Sequence, residues 1–64
     1  MITLNGAPSD GEGLTIAELL ARMEVPDRGV AVAVDAEVVP RGAWERTVLG
    51  DGAAVEVVTA VQGG

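Results

Sequence analysis

The chain has 64 residues, of which 48% are hydrophobic and 22% charged, and its formal net charge is −6 at pH 7. This length supports one small domain, and its apolar content is too high for a disordered chain. No apolar run approaches the ~20 residues of a membrane span and no targeting segment stands at the start, so we expect a soluble, cytoplasmic domain.

The residue types that are absent narrow the chemistry. Cysteine and histidine are both missing, which removes the usual ligands of zinc and haem, the thiol nucleophile and the histidine acid–base group. Few classes of enzyme remain, and no metal site is expected. Ten acidic residues against four basic ones argue against nucleic-acid binding and favour a basic partner surface, although surplus acid also serves solubility.

The opening of the chain predicts a hairpin. Residues 2–4 alternate like a short strand and run into Asn5-Gly6, the dipeptide best suited to a two-residue type I′ turn. The returning segment within residues 7–13 is weak, and Pro8 confines it to a sheet edge if it forms a strand.

A single helix is predicted over residues 16–24. Thr15 and Glu18 have the spacing of a capping box, and Pro26 ends the helix because its ring disfavours helical geometry at the preceding residue. One helical face carries the apolar residues Ile16, Leu19, Leu20 and Met23.

The second half of the chain predicts three more strands. Residues 30–34 and 37–39 flank a turn at Asp35-Ala36, and residues 55–61 form the longest strand pattern in the chain. Between them, Trp44 lies in an irregular stretch, 41–47, where we expect a short helical turn and an indole that covers the edge of the core.

Strand parity predicts which residues face outward. Val55, Val57 and Val61 share one face of the last strand, which should meet the helix. The opposite face should be at least partly exposed and is our candidate partner-docking surface; its residues are Ala31, Ala33, Glu56, Val58 and Ala60.

The last residues, Gln62, Gly63 and Gly64, predict a flexible tail of residues 62–64 on a single domain, 1–64. Two glycines gain no packing in a strand, but they make a thin arm that a narrow channel in another protein could admit. A frayed end without function remains an alternative.

The order of elements is that of an α+β fold, a mixed sheet of four to five strands with one main helix packed on one face. This is the β-grasp order of ubiquitin-like proteins, and the chain resembles the ThiS family of thiamine-biosynthesis sulfur carriers. The resemblance is carried by Trp44 and by residues 2–6, 15–20, 29–34, 37–41, 51–52 and 55–64. Where the family usually has Asn-Gly in the second hairpin, this chain has Asp35-Ala36.

The resemblance implies a carrier, not an enzyme. A ThiF-like activating enzyme would use ATP to adenylate Gly64, a sulfur donor would convert it to a thiocarboxylate (1-thioglycine), and a ThiG-like thiazole synthase would take the sulfur. Gly63 and Gln62 would thread the tail into these partners. The carrier itself would bind no cofactor, nucleic acid or membrane.

Three alternatives stay open at this point. The small subunit of molybdopterin synthase, MoaD, shares the fold, the tail and the chemistry, although it is typically longer. A ubiquitin-like modifier joined to lysine side chains would also need the diglycine. A β-grasp interaction domain would have no tail chemistry at all.

Overall fold

The computed structural model describes residues 1–26 and 28–59. These residues form five strands, one α-helix and one 3₁₀ helix. In chain order the elements are β1 (Ile2–Leu4), β2 (Ala7–Ser9), α1 (Ile16–Met23), β3 (Val30–Val34), β4 (Glu37–Val39), the 3₁₀ helix (Arg41–Ala43) and β5 (Ala54–Thr59).

All five strands belong to one mixed sheet with the order β2-β1-β5-β3-β4. β1 runs parallel to β5, and the other neighbouring strands are antiparallel. The last strand therefore occupies the centre, with β1 and β3 on its two sides. The uncertain second strand exists and lies at the sheet edge, where Pro8 removes no hydrogen bond that a further strand would need. With α1 on one face, this is the predicted β-grasp fold.

Helix α1 begins and ends for local reasons. The Thr15 hydroxyl accepts a hydrogen bond from the Glu18 backbone N–H at 3.1 Å, and the Glu18 carboxylate accepts one from the Thr15 N–H at 2.8 Å. This capping box satisfies donors that the first helical turn leaves unpaired. At the other end, Glu24 adopts a left-handed conformation with φ of 57°, so the helix stops at Met23, one residue before the predicted end.

The core lies between α1 and one face of the sheet. Ile16, Leu19 and Leu20 of the helix are buried against the inward-facing strand residues Val32 and Val55. The connection between the 3₁₀ helix and β5 also contributes, with Leu49 and Ala53 both buried. The complete set of buried apolar residues is Ile2, Ile16, Leu19, Leu20, Val32, Leu49, Ala53, Val55 and Val57.

The two hairpins have matching turns. Asn5 and Gly6 have φ values of 51° and 85°, and Asp35 and Ala36 have φ values of 51° and 68°. Positive φ at both central residues is the requirement of a type I′ turn, so Asp35-Ala36 keeps the tight turn despite its departure from Asn-Gly. Ala36 consequently places a Cβ where glycine is preferred.

Candidate functional site

The predicted chemistry resides in a tail that continues from β5. Gln62, Gly63 and Gly64 lie outside the described residues, and so do Ala60 and Val61. The last described residue of β5, Thr59, is paired with Val30 at the start of β3. The described part of β5 therefore ends in the middle of the sheet, beside the first residue of β3.

The predicted docking face is open. Ala31, Glu56 and Val58 are exposed and Ala33 is half-buried. Ala31 lies opposite Val58, and Ala33 lies opposite Glu56, across the β3–β5 pairing. Four of the five predicted residues are thus brought together on one face, and the fifth, Ala60, lies outside the described residues.

Val38 extends the same face, although it was not among the predicted residues. It lies opposite Ala33 across the β3–β4 pairing and is 77% exposed. The sequence signal that Val38 faces outward was weak. β4 is only three residues long and carries valines at two successive positions, so the sequence does not decide which of them points outward. We call Ala31, Ala33, Val38, Glu56 and Val58 the sheet-face surface.

On the helix side, Trp44 covers the edge of the core as predicted. Its indole Nε1–H donates to the Val39 carbonyl at 3.0 Å, which satisfies the polar atom of a partly buried ring. The Arg41 guanidinium lies over the ring at 5.9 Å from its centroid. These two side chains, with Leu20 and Val25, help to line a shallow groove of about 280 Å³.

Two turn residues hold β5 from opposite sides. The Asn5 side chain exchanges two hydrogen bonds with the backbone of Val57, and the Asp35 side chain accepts one from the Ala54 N–H. Both residues were predicted to lie in turns, but their contacts with β5 were not predicted. A shared signal existed, because each residue is the first central residue of a type I′ turn and has a short polar side chain.

The groups with shifted pKa values lie at the opposite end of the sheet from Thr59. A hydrogen bond to Asp51 raises the pKa of the Met1 amino group, and backbone N–H groups of Glu12 and Gly11 lower the pKa of the Glu12 carboxyl. These groups adjoin the start of β5, because the Gly52 N–H donates to the Met1 carbonyl. They hold neighbouring loops together and are remote from Thr59, the described end of β5.

The described residues offer little chemistry of their own. No cluster of acidic, histidine or cysteine side chains within 1–26 and 28–59 could hold a metal ion. Within the same ranges, no helix has the length and apolar character needed to cross a membrane. The distinctive features of this part of the chain are the open sheet face and the strand that leads to the tail.

Comparison with known proteins places the chain in a family. The model of the ThiS family matches residues 2–64. The protein called sulfur carrier protein ThiS from Thermus thermophilus is 42% identical over 64 residues, which is the whole of both chains.

Two solved structures share the fold. The crystal structure of a thiamine biosynthesis protein (ThiS) from Geobacter metallireducens has a TM-score of 0.80 and 37% identity, covering 98% of this chain and 97% of that one. A solution NMR structure of a thiamine biosynthesis protein from the same organism has a TM-score of 0.80 and 40% identity, covering 98% and 86%. With the same five-stranded sheet, the same single helix and similarity over its full length, the chain belongs to the ThiS family of sulfur carrier proteins.

Proposed function

We propose that this carrier serves thiamine biosynthesis by holding sulfur on the C-terminal carboxylate of Gly64. The observation that carries the proposal is the similarity to a sulfur carrier protein over the whole chain, so that the family match includes the tail, 62–64. The composition supports it, because a chain without cysteine has no side-chain thiol on which to carry sulfur.

The reaction at Gly64 proceeds in two displacements. A carboxylate oxygen attacks the α-phosphorus of ATP, pyrophosphate leaves, and the product is an acyl adenylate with an electrophilic carbonyl carbon. Hydrosulfide released by a donor then attacks that carbon, AMP leaves with the oxygen to which it was bonded, and the thiol proton passes to solvent. The resulting thiocarboxylate, 1-thioglycine, passes its sulfur to a ThiG-like thiazole synthase.

The carrier acts as a protein substrate in these steps. A ThiF-like enzyme binds ATP and supplies the groups that stabilise the transition state, so the carrier needs no cofactor or metal ion of its own. Its contribution is to present the carboxylate. Gly63 and Gly64 lack side chains, and together with Gln62 they form the arm that threads into the partner's active site.

The sheet-face surface is the proposed docking site for the activating enzyme. Val58 is 60% exposed and Val38 is 77% exposed, with small alanines between them. Glu56 adds a carboxylate, and the chain as a whole has a net charge of −6. This combination fits a partner that is apolar at the centre of its interface and basic at the rim. Ala60, which shares the sequence parity of Glu56 and Val58, belongs to the same proposed docking site.

Adenylation tests the proposed chemistry. The carrier is incubated with a ThiF-like enzyme and ATP, and both pyrophosphate release and an AMP adduct on the carrier are measured. We expect both products with the wild-type chain and neither with a chain that lacks Gly64. A variant with a bulky side chain, Gly63→Trp, should melt like wild type yet form no adduct. Equal adduct formation by the truncated chain would contradict the proposal.

A pair of exposed valines tests the docking surface. Val58 is 60% exposed on the sheet face, whereas Val48 is 62% exposed beside the start of α1, where it bridges to Thr15. Val58→Arg should raise the KM for the carrier in the adenylation assay, because it sets a charged side chain against the apolar centre of the partner's interface. Val48→Arg adds the same charge elsewhere and should leave KM unchanged. Equal KM values for the two variants would remove the sheet face from the interface.

A further inference from the structure

The central strand loses its β1 neighbour before it ends. Pairing between β1 and β5 stops where Leu4 lies opposite Val55, and the Asn5 N–H makes the last backbone contact, to the Val55 carbonyl at 2.9 Å. The chain then turns away at Gly6. On its other side, β5 remains paired with β3 as far as Thr59. Among the described residues, the C-terminal half of β5 therefore has no neighbouring strand on one side.

The side chain of Asn5 takes the place of that strand. The Val57 N–H donates to Asn5 Oδ1 at 2.8 Å, and Asn5 Nδ2–H donates to the Val57 carbonyl at 3.2 Å. A primary amide reproduces the donor and acceptor of a peptide group, so these two bonds continue the ladder by one step. Without them, the backbone groups of Val57 would have no protein partner on this side among the described residues.

The second turn makes a related contact at the other end of β5. The Asp35 N–H donates to the Ala54 carbonyl at 2.8 Å, and the Ala54 N–H donates to Asp35 Oδ1 at 3.0 Å. Asn5 and Asp35 have the same φ of 51°. They differ in position, because Val57 is two residues from the end of β5 as described, whereas Ala54 is its first residue.

We propose that Asn5 is a positioning residue for the reaction at Gly64, acting through Val57 to fix the direction in which β5 delivers the tail. This inference rests on the function proposed above. Gly64 lies seven residues beyond Val57 in the chain, so any angular freedom at the end of β5 widens the range of positions that Gly64 can reach. Misplacement by about 1 Å can cost a reaction up to about a hundred-fold in rate. Asp35 holds the start of the strand, where such freedom is not passed on to the tail.

Two glycine substitutions provide a matched test. Asn5→Gly and Asp35→Gly each remove one polar side chain, and glycine tolerates the positive φ of both sites equally. Both variants are compared with wild type in the adenylation assay with a ThiF-like enzyme and ATP, below the melting temperature of each. Hydrogen exchange of the Val57 amide is measured in parallel.

We expect Asn5→Gly to lower kcat by about ten-fold while KM changes by less than about two-fold, because pairing with β3 keeps Val58 and the sheet face in place. The Val57 amide should exchange faster in this variant. Asp35→Gly should keep the kcat of wild type. A general loss of structure would instead lower the melting temperature of both variants without separating their kcat values.

A second substitution at Asn5 keeps the test valid if Asn5→Gly does not fold. Asn5→Asp keeps an acceptor for the Val57 N–H but sets a carboxylate oxygen against the Val57 carbonyl, so it should lower kcat in the same direction as Asn5→Gly. Equal kcat for wild type and the folded Asn5 variants would overturn the inference and leave the proposed function intact. Failure of the wild-type chain itself to form an adenylate would overturn both.

Discussion

The two faces of the sheet use the same residue type for opposite purposes. Val57 and Val58 are neighbours in β5, yet Val57 is 8% exposed and Val58 is 60% exposed. Inward-facing valines contribute to a core that α1 closes, whereas outward-facing valines leave apolar surface in water that folding does not require. The difference shows that parity along β5, and not composition, separates the residues that hold the fold from those available to a partner.

The largest expected effect comes from the helix that covers the inner face. Leu19 is 3% exposed and packs in the core, so Leu19→Ala should lower the free energy of unfolding by about 2 to 5 kcal/mol. Urea denaturation measures this change. Where the variant is still folded, adenylation should proceed at the wild-type rate, because the outer face and the tail are unaltered. A loss below about 1 kcal/mol would show that the inner face tolerates cavities.

The adjacent residues Val57 and Val58 give the sharpest test of the difference between the two faces of the sheet. Val57→Ala removes buried methyl groups and should cost about 1.5 to 3 kcal/mol of unfolding free energy, whereas Val58→Ala should change it by less than about 0.5 kcal/mol. In the adenylation assay the order should reverse, with a raised KM for Val58→Ala only. Similar unfolding free energies for the two variants would contradict the assignment of the faces.

The smallest effect is expected at a turn that belongs to neither face. Ala36 has a φ of 68°, a conformation in which a Cβ is strained, so Ala36→Gly should raise the unfolding free energy by about 0.5 kcal/mol after the greater freedom of glycine in the unfolded chain is deducted. Thermal melts would detect the change. A lower melting temperature for this variant would mean that the strain at Ala36 is relieved by other contacts.

Much of the fold could be predicted because its signals are local. The capping box of Thr15 and Glu18 and the apolar spacing that follows it determine the helix within one residue of its observed end. Parity assigned Val55 and Val57 to the core and Glu56 and Val58 to the open face. These patterns depend only on the periods of helix and strand, so one sequence is enough to interpret them.

The features that could not be predicted depend on contacts between residues far apart in the sequence. Leu49 enters the core because its backbone N–H and C=O pair with Leu14 and Gly13, which no local pattern reveals. The contact of Asn5 with Val57 joins residues separated by 52 positions, and that of Asp35 with Ala54 joins residues separated by 19. Both contacts form only because β5 lies between β1 and β3, so predicting them requires the strand order. The chemistry of Gly64 was predicted from family resemblance, because a glycine carboxylate has no distinctive pattern.

The central claim is that Gly64 carries the sulfur, and intact-mass measurement tests it most directly. The wild-type chain is incubated with a ThiF-like enzyme, ATP and a sulfur donor, beside a chain that lacks Gly64. Wild type should gain the mass difference between sulfur and oxygen once, and fragmentation should locate the change at Gly64. The shortened chain should keep its mass. An equal gain in the shortened chain, or a gain in wild type located at any other residue, would contradict the account.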